Sequence, residues 1–338
     1  MVMIDQLGAA RGKRVPVEEA RGAYRDGFRL PGSVLALDAT GETVEASGLL
    51  WEDGDADRVC HPIPGSLLRQ SWDMRGAAMV QLAMRDHDGA PFYACPRERL
   101  IEIEARLADL GLTPVVALEF EFYLLSKTRD ERGGPLLARA PGRSEPPQTT
   151  AVYALDDLRD FDAVLSDIAE ACRDVGIPAA AATTEAAPGQ FEINLHHVPG
   201  AVHAADLGVR FKQVVKGVAN LHGMDATFMS KPFPDLSGNG LHAHISLIDG
   251  RERNIFADQD PHGSPALRHA IQGLAGTMAE FTALFAPHAN AYRRMQPGSY
   301  APVSPCWGVN NRTLALRIPS SSPAARRVEH RVAGGDAN

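Results

Sequence analysis

Features typical of membrane, nucleic-acid-binding and disulfide-rich proteins are missing from this sequence of 338 residues. Its four cysteines are scattered without a Cys-x-x-Cys pair, which argues against a zinc site and favours reduced thiols in a cytoplasmic protein. No apolar run approaches the roughly 18 residues of a membrane helix, and residues 1–14 lack the apolar core of a secretory signal. A net charge of −8 argues against nucleic acid as a partner.

The common nucleotide-binding signatures are missing as well. The sequence contains neither Gly-x-x-x-x-Gly-Lys-Ser/Thr nor Gly-x-Gly-x-x-Gly. It therefore supports neither a P-loop nor a dinucleotide-binding fold.

The pattern that is present predicts an α+β protein of two domains. Residues 1–14 form an N-terminal extension and 15–95 a small β-rich domain, in which turn residues favour hairpins over 33–46 and 80–94. Residues 96–338 form a second domain with one large antiparallel sheet, and its stretch 128–150 is a surface loop. Periodicity predicts helices over Val17–Tyr24, Cys95–Leu110, Leu155–Val175, His203–His222 and Pro265–Phe285, and strands over Thr113–Leu125, Phe191–Leu195, Leu241–Ile248, Thr313–Ile318 and Arg327–Arg331.

The strand predicted over Thr113–Leu125 carries two carboxylates among apolar residues. Because side chains alternate along a strand, Glu119 and Glu121 share one face, and Phe120 and Phe122 share the other. Neighbouring carboxylates in an apolar strand repel each other and lose hydration unless a cation compensates them. For an isolated Glu-x-Glu, a solvated strand face explains the pattern equally well.

Further segments offer ligands of the same kind. Each has a structural explanation of its own, such as a hydrogen-bonded core histidine or a surface ion pair. Together with the first strand, their carboxylates and imidazoles suit Mg²⁺ or Mn²⁺ and do not suit structural Zn²⁺. The residues concerned are Glu185 and Glu192 around the turn Pro188-Gly189, His242 and His244 on one strand, and Glu329 on another.

The stretch from Arg293 to Arg331 is rich in arginine and contains no lysine. Planar guanidinium groups bind phosphates and carboxylates in a bidentate manner. Two hard cations can bridge nucleotide phosphates and neutralise a phosphoryl group in transfer. The residues alone therefore predict a metal-dependent phosphoryl-transfer site.

The ordered motifs resemble those of the glutamine synthetase superfamily, from about residue 30 to the end. They are Glu119-Phe120-Glu121, Glu185 through Pro188-Gly189-Gln190 to Glu192, Lys231-Pro232-Phe233, Gly238 through Ser246, Asn311-Arg312 and Arg327 through Arg331. The resemblance implies an N-terminal β-grasp domain and a catalytic domain with a curved antiparallel sheet and flanking helices. It also implies that ATP phosphorylates the γ-carboxylate of glutamate before an amine displaces phosphate.

The resemblance implies a role for each matched residue. One metal ion would be held by Glu121, Glu185 and Glu192, and the other by Glu119, His242 and Glu329. Arg294 and Arg331, with Gly238, Asn239 and Gly240, would bind glutamate. Arg312 and Arg317 would face the phosphates of ATP, with Arg294 and Arg312 counted as catalytic, and His244 and Ser246 would lie against the nucleotide.

Two departures from the family bear on the amine. Tyr300 stands where the Pro-Gly-x-Glu of the flap has its glutamate, and Trp51–Asp57 replaces the Asp-Gly-Ser-Ser of the ammonium pocket. Losing two anionic groups weakens a site for ammonium. The phenol of Tyr300 suits a wider channel for an amine, so Tyr300 is assigned a role in the catalytic site. Both departures resemble the γ-glutamylpolyamine (γ-glutamylputrescine) synthetase branch, although neutral drift in a mobile flap also explains Tyr300.

A third departure is the end of the sequence at Asn338, inside a motif that the family continues with Pro-Tyr and a helical segment. The resemblance implies that a C-terminal part is missing, one that helps to hold the family's dodecamer together. The favoured hypothesis is an ATP-dependent glutamate–amine ligase, a homo-oligomer that uses a polyamine such as putrescine, or a monoamine. The alternatives are a glutamine synthetase that uses ammonium and a non-catalytic relative.

Overall fold

The computed structural model describes residues 1–73, 75–149 and 152–338, which divide into two units. The first unit is Met1–Arg106 with Ala337–Asn338, and the second is Leu107–Asp336. Among the described residues, no helix combines the length and apolarity that crossing a bilayer requires. The α+β class predicted from the sequence is confirmed.

Short antiparallel strands organise the first unit. Val2–Ile4 pairs with Ala10–Gly12, and Leu68–Arg69 pairs with Ala78–Met79. Asp57–Pro62 lies between Phe28–Pro31 and Leu82–Arg85. Buried side chains that include Leu30, Leu35, Met84 and Phe92 form its core. The elements are β1 (Val2–Ile4), β2 (Ala10–Gly12), α1 (Val17–Asp26), β3 (Phe28–Pro31), β4 (Asp57–Pro62), β5 (Leu68–Arg69), β6 (Ala78–Met79), β7 (Leu82–Arg85) and α2 (Pro96–Asp109).

The hairpin predicted over 33–46 is reduced to a single antiparallel bridge. Gly32–Leu35 and Glu45–Ser47 are short 3₁₀ helices, and Leu37 and Thr43 pair as an isolated bridge. The carboxylate of Asp38 accepts hydrogen bonds from the Thr40 backbone N–H and hydroxyl and from the Glu42 N–H. This side chain therefore closes a tight loop in place of a strand ladder. The second predicted hairpin is reduced to β7 and one bridge between Arg85 and Pro91.

One mixed sheet dominates the second unit, and the long strand Leu112–Arg129, called β8, lies at its centre. The order is β10-β11-β8-β14-β17-β16-β15, and β8 also pairs with β9, β12 and β13. The strands are β8 (Leu112–Arg129), β9 (Pro135–Leu137), β10 (Ala179–Thr184), β11 (Gln190–Leu195), β12 (Val198–Pro199), β13 (Met224–Thr227), β14 (Leu241–Asp249), β15 (Trp307–Val309), β16 (Leu316–Ile318) and β17 (Val328–His330). The helices are α3 (Leu155–Asp160), α4 (Asp162–Asp174), α5 (Ala201–Leu221), α6 (Pro265–Phe285) and α7 (Ala289–Tyr292).

Four details of the predicted second domain are wrong. The sheet is mixed because β15 and β16 pair in parallel, and β16 begins late because Asn311 accepts hydrogen bonds from Thr313 within a turn. The helix predicted over Leu155–Val175 is broken at Phe161, whose buried ring packs 5.3 Å from that of Phe191. The predicted loop 128–150 contains the end of β8 and all of β9, and its last residue lies outside the described residues.

The two faces of β8 have the alternation that the sequence predicts. Phe120 and Phe122 are buried, and their rings pack against Phe228 and, from α5, Phe211. Burial of each ring stabilises the fold by roughly 1.5–3 kcal/mol. This packing fixes β8 so that Glu119 and Glu121 point to the opposite face.

Candidate functional site

Strand register places the predicted metal ligands side by side. Glu119 lies opposite His242 of β14, and Glu121 lies opposite Glu192 of β11. His244 lies opposite Glu329 of β17. Because paired residues in neighbouring strands point to the same face, these side chains form one cluster.

Two of these carboxylates, Glu119 and Glu329, have cationic or imidazole partners, and we call them the paired carboxylates. Glu119 contacts His242 Nδ1 at 3.0 Å and His244 Nε2 at 2.7 Å. Glu329, whose side chain is 0% exposed, accepts hydrogen bonds from Arg317 Nη1 at 2.7 Å and from Arg331. Burial opposes the charge of both groups, but these partners outweigh it and hold both pKa values below the ordinary range.

Two other carboxylates, Glu185 and Glu192, lie among acids, and we call them the crowded carboxylates. Glu185 follows β10 directly, and Glu192 lies in β11, beyond the turn that joins the two strands. Burial raises the pKa of Glu185, and the nearby charge of Glu121 adds to the shift. Burial raises the pKa of Glu192 in the same way, with further repulsion from Glu119 and Glu185. These side chains would be stabilised as carboxylates by an added cation.

The cluster fits divalent metal ions. Ligand atoms of Glu119, His242 and Glu329 lie within 4.8 Å of one another, and so do those of Glu121, Glu192 and His242. The first group is the set that the sequence assigns to one ion. The second contains two of the three residues assigned to the other ion, and Glu185 lies beside it. Oxygen-rich sets with one imidazole are typical ligands of Mg²⁺ or Mn²⁺.

The predicted glutamate-binding residues lie together beside this cluster. Arg294 is buried and donates hydrogen bonds to the carbonyl oxygens of Val332 (2.9 Å) and Arg331 (3.4 Å). A Cβ added at Gly240 would lie 2.6 Å from Arg294 Nη2, and one at Gly238 would lie 2.9 Å from Arg294 Cγ. Glycine is therefore required at both positions for this close approach.

A cavity of about 980 Å³ opens beside Glu119. Its lining includes Glu119 and the two residues that were predicted to lie against a nucleotide, His244 and Ser246. Arg327 also lines the cavity, and its Nε donates to His244 Nδ1 at 3.1 Å. A volume of this size is typical of sites for small molecules and cofactors.

Other predicted residues are not brought to the cluster. Arg312 is exposed on the turn before β16, and Tyr300 is 67% exposed. Tyr300 lines a separate cavity of about 410 Å³ that is formed by 296–304 and Thr313. Within the described ranges, neither side chain forms a hydrogen bond or ion pair with the carboxylates. Arg317, predicted to face ATP, instead pairs with Glu329 and donates to Asn310 Oδ1 at 2.9 Å.

The sequence analysis assigned no role to three residues that shape the site. Gln190 Nε2 donates to the carbonyl oxygen of Gly238 (3.0 Å) and to Asn239 Oδ1 (2.9 Å), and the Tyr123 hydroxyl donates to the carbonyl oxygen of Ser237 (2.6 Å). The third is Arg327. All three lie inside or directly beside the matched motifs, and this closeness in the sequence could have indicated a role in the site.

In the first unit, one carboxylate of the segment Trp51–Asp57 is already paired with an arginine. Asp53 accepts hydrogen bonds from the buried Arg58 at 2.7 and 3.1 Å, and the Arg58 guanidinium lies 4.5 Å from the Phe92 ring. Arg58 lowers the pKa of Asp53 and balances its charge. Asp53 is therefore a weak candidate for binding a further cation.

Comparisons with known proteins agree with this geometry. Over its whole length the chain is 43% identical to γ-glutamylputrescine synthetase PuuA of Escherichia coli and spans 71% of that protein. Over 90% of its length it is 34% identical to γ-glutamylethanolamide synthetase GlnA4 of Streptomyces coelicolor and spans 64% of it. A solved complex of GmaS with ADP superposes with a TM-score of 0.82 at 30% identity, covering 100% of this chain and 74% of that one. The family described as glutamine synthetase, catalytic domain, matches residues 93–338. The chain belongs to the glutamine synthetase family.

Proposed function

We propose that this protein is an ATP-dependent ligase that joins the γ-carboxylate of L-glutamate to a primary amine through a γ-glutamyl phosphate intermediate. The observation that carries the proposal is the carboxylate and histidine cluster, together with the buried Arg294 and a nucleotide-sized cavity that Glu119 lines. The 43% identity to γ-glutamylputrescine synthetase supports the choice of an amine over ammonium.

The chain's own residues divide the work between two ends of the site. Arg294, Arg331 and the loop Gly238–Gly240 bind glutamate, and Tyr123 and Gln190 hold that loop in place. His244, Ser246 and Arg327 line the nucleotide cavity. The carboxylates would hold Mg²⁺ or Mn²⁺, and the bound ion would neutralise phosphate charge.

The reaction proceeds in two displacements. A γ-carboxylate oxygen of glutamate attacks the terminal phosphorus of ATP, and ADP leaves. The amine nitrogen then attacks the acyl carbon, loses a proton, and phosphate leaves with the bonding electrons. Preorganised guanidinium groups beside the site stabilise the charge that develops in both steps.

The acceptor is a primary amine, with putrescine, another polyamine or a monoamine as candidates. Asp53 is already paired with Arg58, and Tyr300 contributes a neutral ring to the flap. Neither feature favours ammonium. Catalytic contributions from Tyr300 and Arg312, a cytoplasmic location and a homo-oligomeric state belong to the same proposal.

Phosphate release with glutamate, ATP and Mg²⁺ tests the proposal, with putrescine, spermidine, a monoamine or ammonium supplied at equal concentration. We expect an amine to give the highest rate, and mass spectrometry to identify the γ-glutamyl amide. Glu121→Ala should abolish turnover while the fold persists by circular dichroism.

Higher turnover with ammonium would instead favour a glutamine synthetase. No turnover with any acceptor, together with no Mn²⁺ binding by calorimetry, would favour a non-catalytic relative.

A further inference from the structure

Two loops of the second unit are joined through one carboxylate, Asp336. Its Oδ1 accepts a hydrogen bond from the Ser230 hydroxyl (2.5 Å), and its Oδ2 accepts one from the Ser230 backbone N–H (3.0 Å). Oδ2 also lies 2.9 Å from His288 Nε2. The side chains of His288 and Asp336 are only 14% and 19% exposed. We call Ser230, His288 and Asp336 the clasp.

Each joined loop carries residues with a proposed substrate role. Ser230 lies in the connection that leads to Gly238–Gly240, and its carbonyl oxygen accepts a hydrogen bond from the Asn239 N–H at 2.9 Å. His288 immediately precedes α7, and Arg294 and Tyr300 follow that helix. Any displacement of His288 is therefore passed along a short segment to Arg294.

A neutral tie runs parallel to the clasp. The Asn290 side chain accepts a hydrogen bond from the Lys231 backbone N–H and donates one to the Lys231 carbonyl oxygen, both at 2.9 Å. Packing adds rigidity, because a Cβ at Gly334 would lie 1.9 Å from Ser230 Oγ. The bond between His288 and Asp336 differs from these contacts in that its strength depends on a proton.

The charges around the clasp determine the direction of that dependence. The hydrogen bond to Asp336 raises the pKa of His288 above its ordinary value, although burial opposes the shift. Burial lowers the pKa values of Lys212 and Lys216 of α5 and of Arg294, and the negative charge of Asp336 opposes these shifts. A histidine whose pKa is raised by folding contributes stability at low pH and loses that contribution as pH rises through the folded-state pKa.

We propose that His288 is a positioning residue whose charged bond to Asp336 holds residues 288–300, and with them Arg294, in place. Loss of the proton loosens this segment and weakens glutamate binding. The effect on glutamate rests on the proposed function, whereas the effect on the segment does not.

Hydrogen exchange of peptides from 289–300, corrected for intrinsic exchange rates, tests the structural part. Between pH 6 and pH 8.5 we expect protection in the unmodified protein to fall by about three- to tenfold, the difference between a charged and a neutral hydrogen bond. His288→Gln keeps a neutral donor but cannot titrate, so its protection should be low and constant. Asp336→Asn should also lower protection at acidic pH.

A matched control is available in His262, which lies 2.9 Å from Asp260 on an exposed loop. His262→Gln should leave the pH profile of 289–300 unchanged. Burial lowers the pKa of Lys212 to about 8, but this lysine is retained in His288→Gln and cannot account for a lost pH dependence. Constant protection in the unmodified protein, or an unchanged profile in His288→Gln, overturns the proposal.

Kinetics then test the consequence for catalysis. From pH 6 to 8.5, the KM for glutamate of the unmodified protein should rise about three- to tenfold relative to that of His288→Gln, with a smaller change in kcat. An equal effect on both variants contradicts the positioning role. If exchange behaves as expected but no ligation of any amine is found, the clasp stands and the proposed function fails.

Discussion

The paired carboxylates and the crowded carboxylates occupy one cluster but have opposite electrostatics. Glu119 and Glu329 lie against imidazoles and guanidinium groups, so burial does not prevent their ionisation. Glu185 and Glu192 lie against other acids, and burial favours their protonated forms. One half of the site is therefore charged in advance, while the other needs a cation to become charged. Variants that remove one carboxylate at a time can separate these two conditions.

The largest effect on the fold is expected at Glu329. Glu329→Gln removes the partner of the buried Arg317 and Arg331, and leaving buried charges unpaired costs about 3–5 kcal/mol. Chemical unfolding in the presence of a chelator measures this loss. Asp260→Asn, which removes an exposed carboxylate beside His262, should change stability little. Equal stability of Glu329→Gln and the unmodified protein would show that the paired half does not depend on ion pairing.

The next effect is the pH dependence of the metal-free protein. Since folding raises the pKa values of Glu185 and Glu192, these two groups bind more protons in the folded state than in the unfolded state, and their contribution to stability falls as pH rises above about 5. Saturating Mn²⁺ should reverse this trend, with a gain of about 2.7 kcal/mol at a hundredfold excess over Kd. Thermal melting between pH 5 and pH 8.5, with and without Mn²⁺, gives both quantities. A metal-free protein that gains stability over this range contradicts the assignment.

Glu192→Gln should have a smaller effect, opposite in sign to that of Glu329→Gln. The amide removes repulsion from Glu119, Glu121 and Glu185, so we expect the metal-free protein to gain about 1–3 kcal/mol at pH 8. The same variant should lose metal binding and turnover. Parallel unfolding curves and Mn²⁺ titrations check the two outcomes, and destabilisation together with retained Mn²⁺ binding would refute the distinction between the two halves.

The smallest effect is expected at His244. His244→Gln removes one imidazole partner of Glu119, but His242 remains in contact with that carboxylate. We expect a loss of about 1 kcal/mol in the metal-free protein, the usual contribution of one hydrogen bond. Unfolding by urea measures it, and a loss as large as that of Glu329→Gln would mean that imidazoles and arginines contribute equally.

The cluster could be predicted where it depends on local alternation. The spacing of Glu119 and Glu121, confirmed by the burial of Phe120 and Phe122, follows from the two-residue period of a strand. The pairing of Glu329 with Arg317 could not be predicted in this way. Arg317 and Glu329 meet because β16 pairs with β17 in one particular register, and nothing in the local sequence specifies that register.

Side chains that compete with the backbone account for the errors in the fold. Asp38 closes a loop where alternation favoured a hairpin, and Asn311 closes a turn where a strand was expected to begin. Phe161 interrupts a helix and packs into the aromatic core. In each case a short polar group or a distant packing partner outweighs the local propensity.

The register of β8 also affects folding fidelity. A one-residue slip against β11 or β14 would turn Glu119 and Glu121 toward the aromatic core and expose Phe120 and Phe122. Such a slip would bury two carboxylates without partners, so misregistered sheets are heavily penalised. The acidic residues therefore disfavour the mispaired sheet, and only the correct register assembles the cation site.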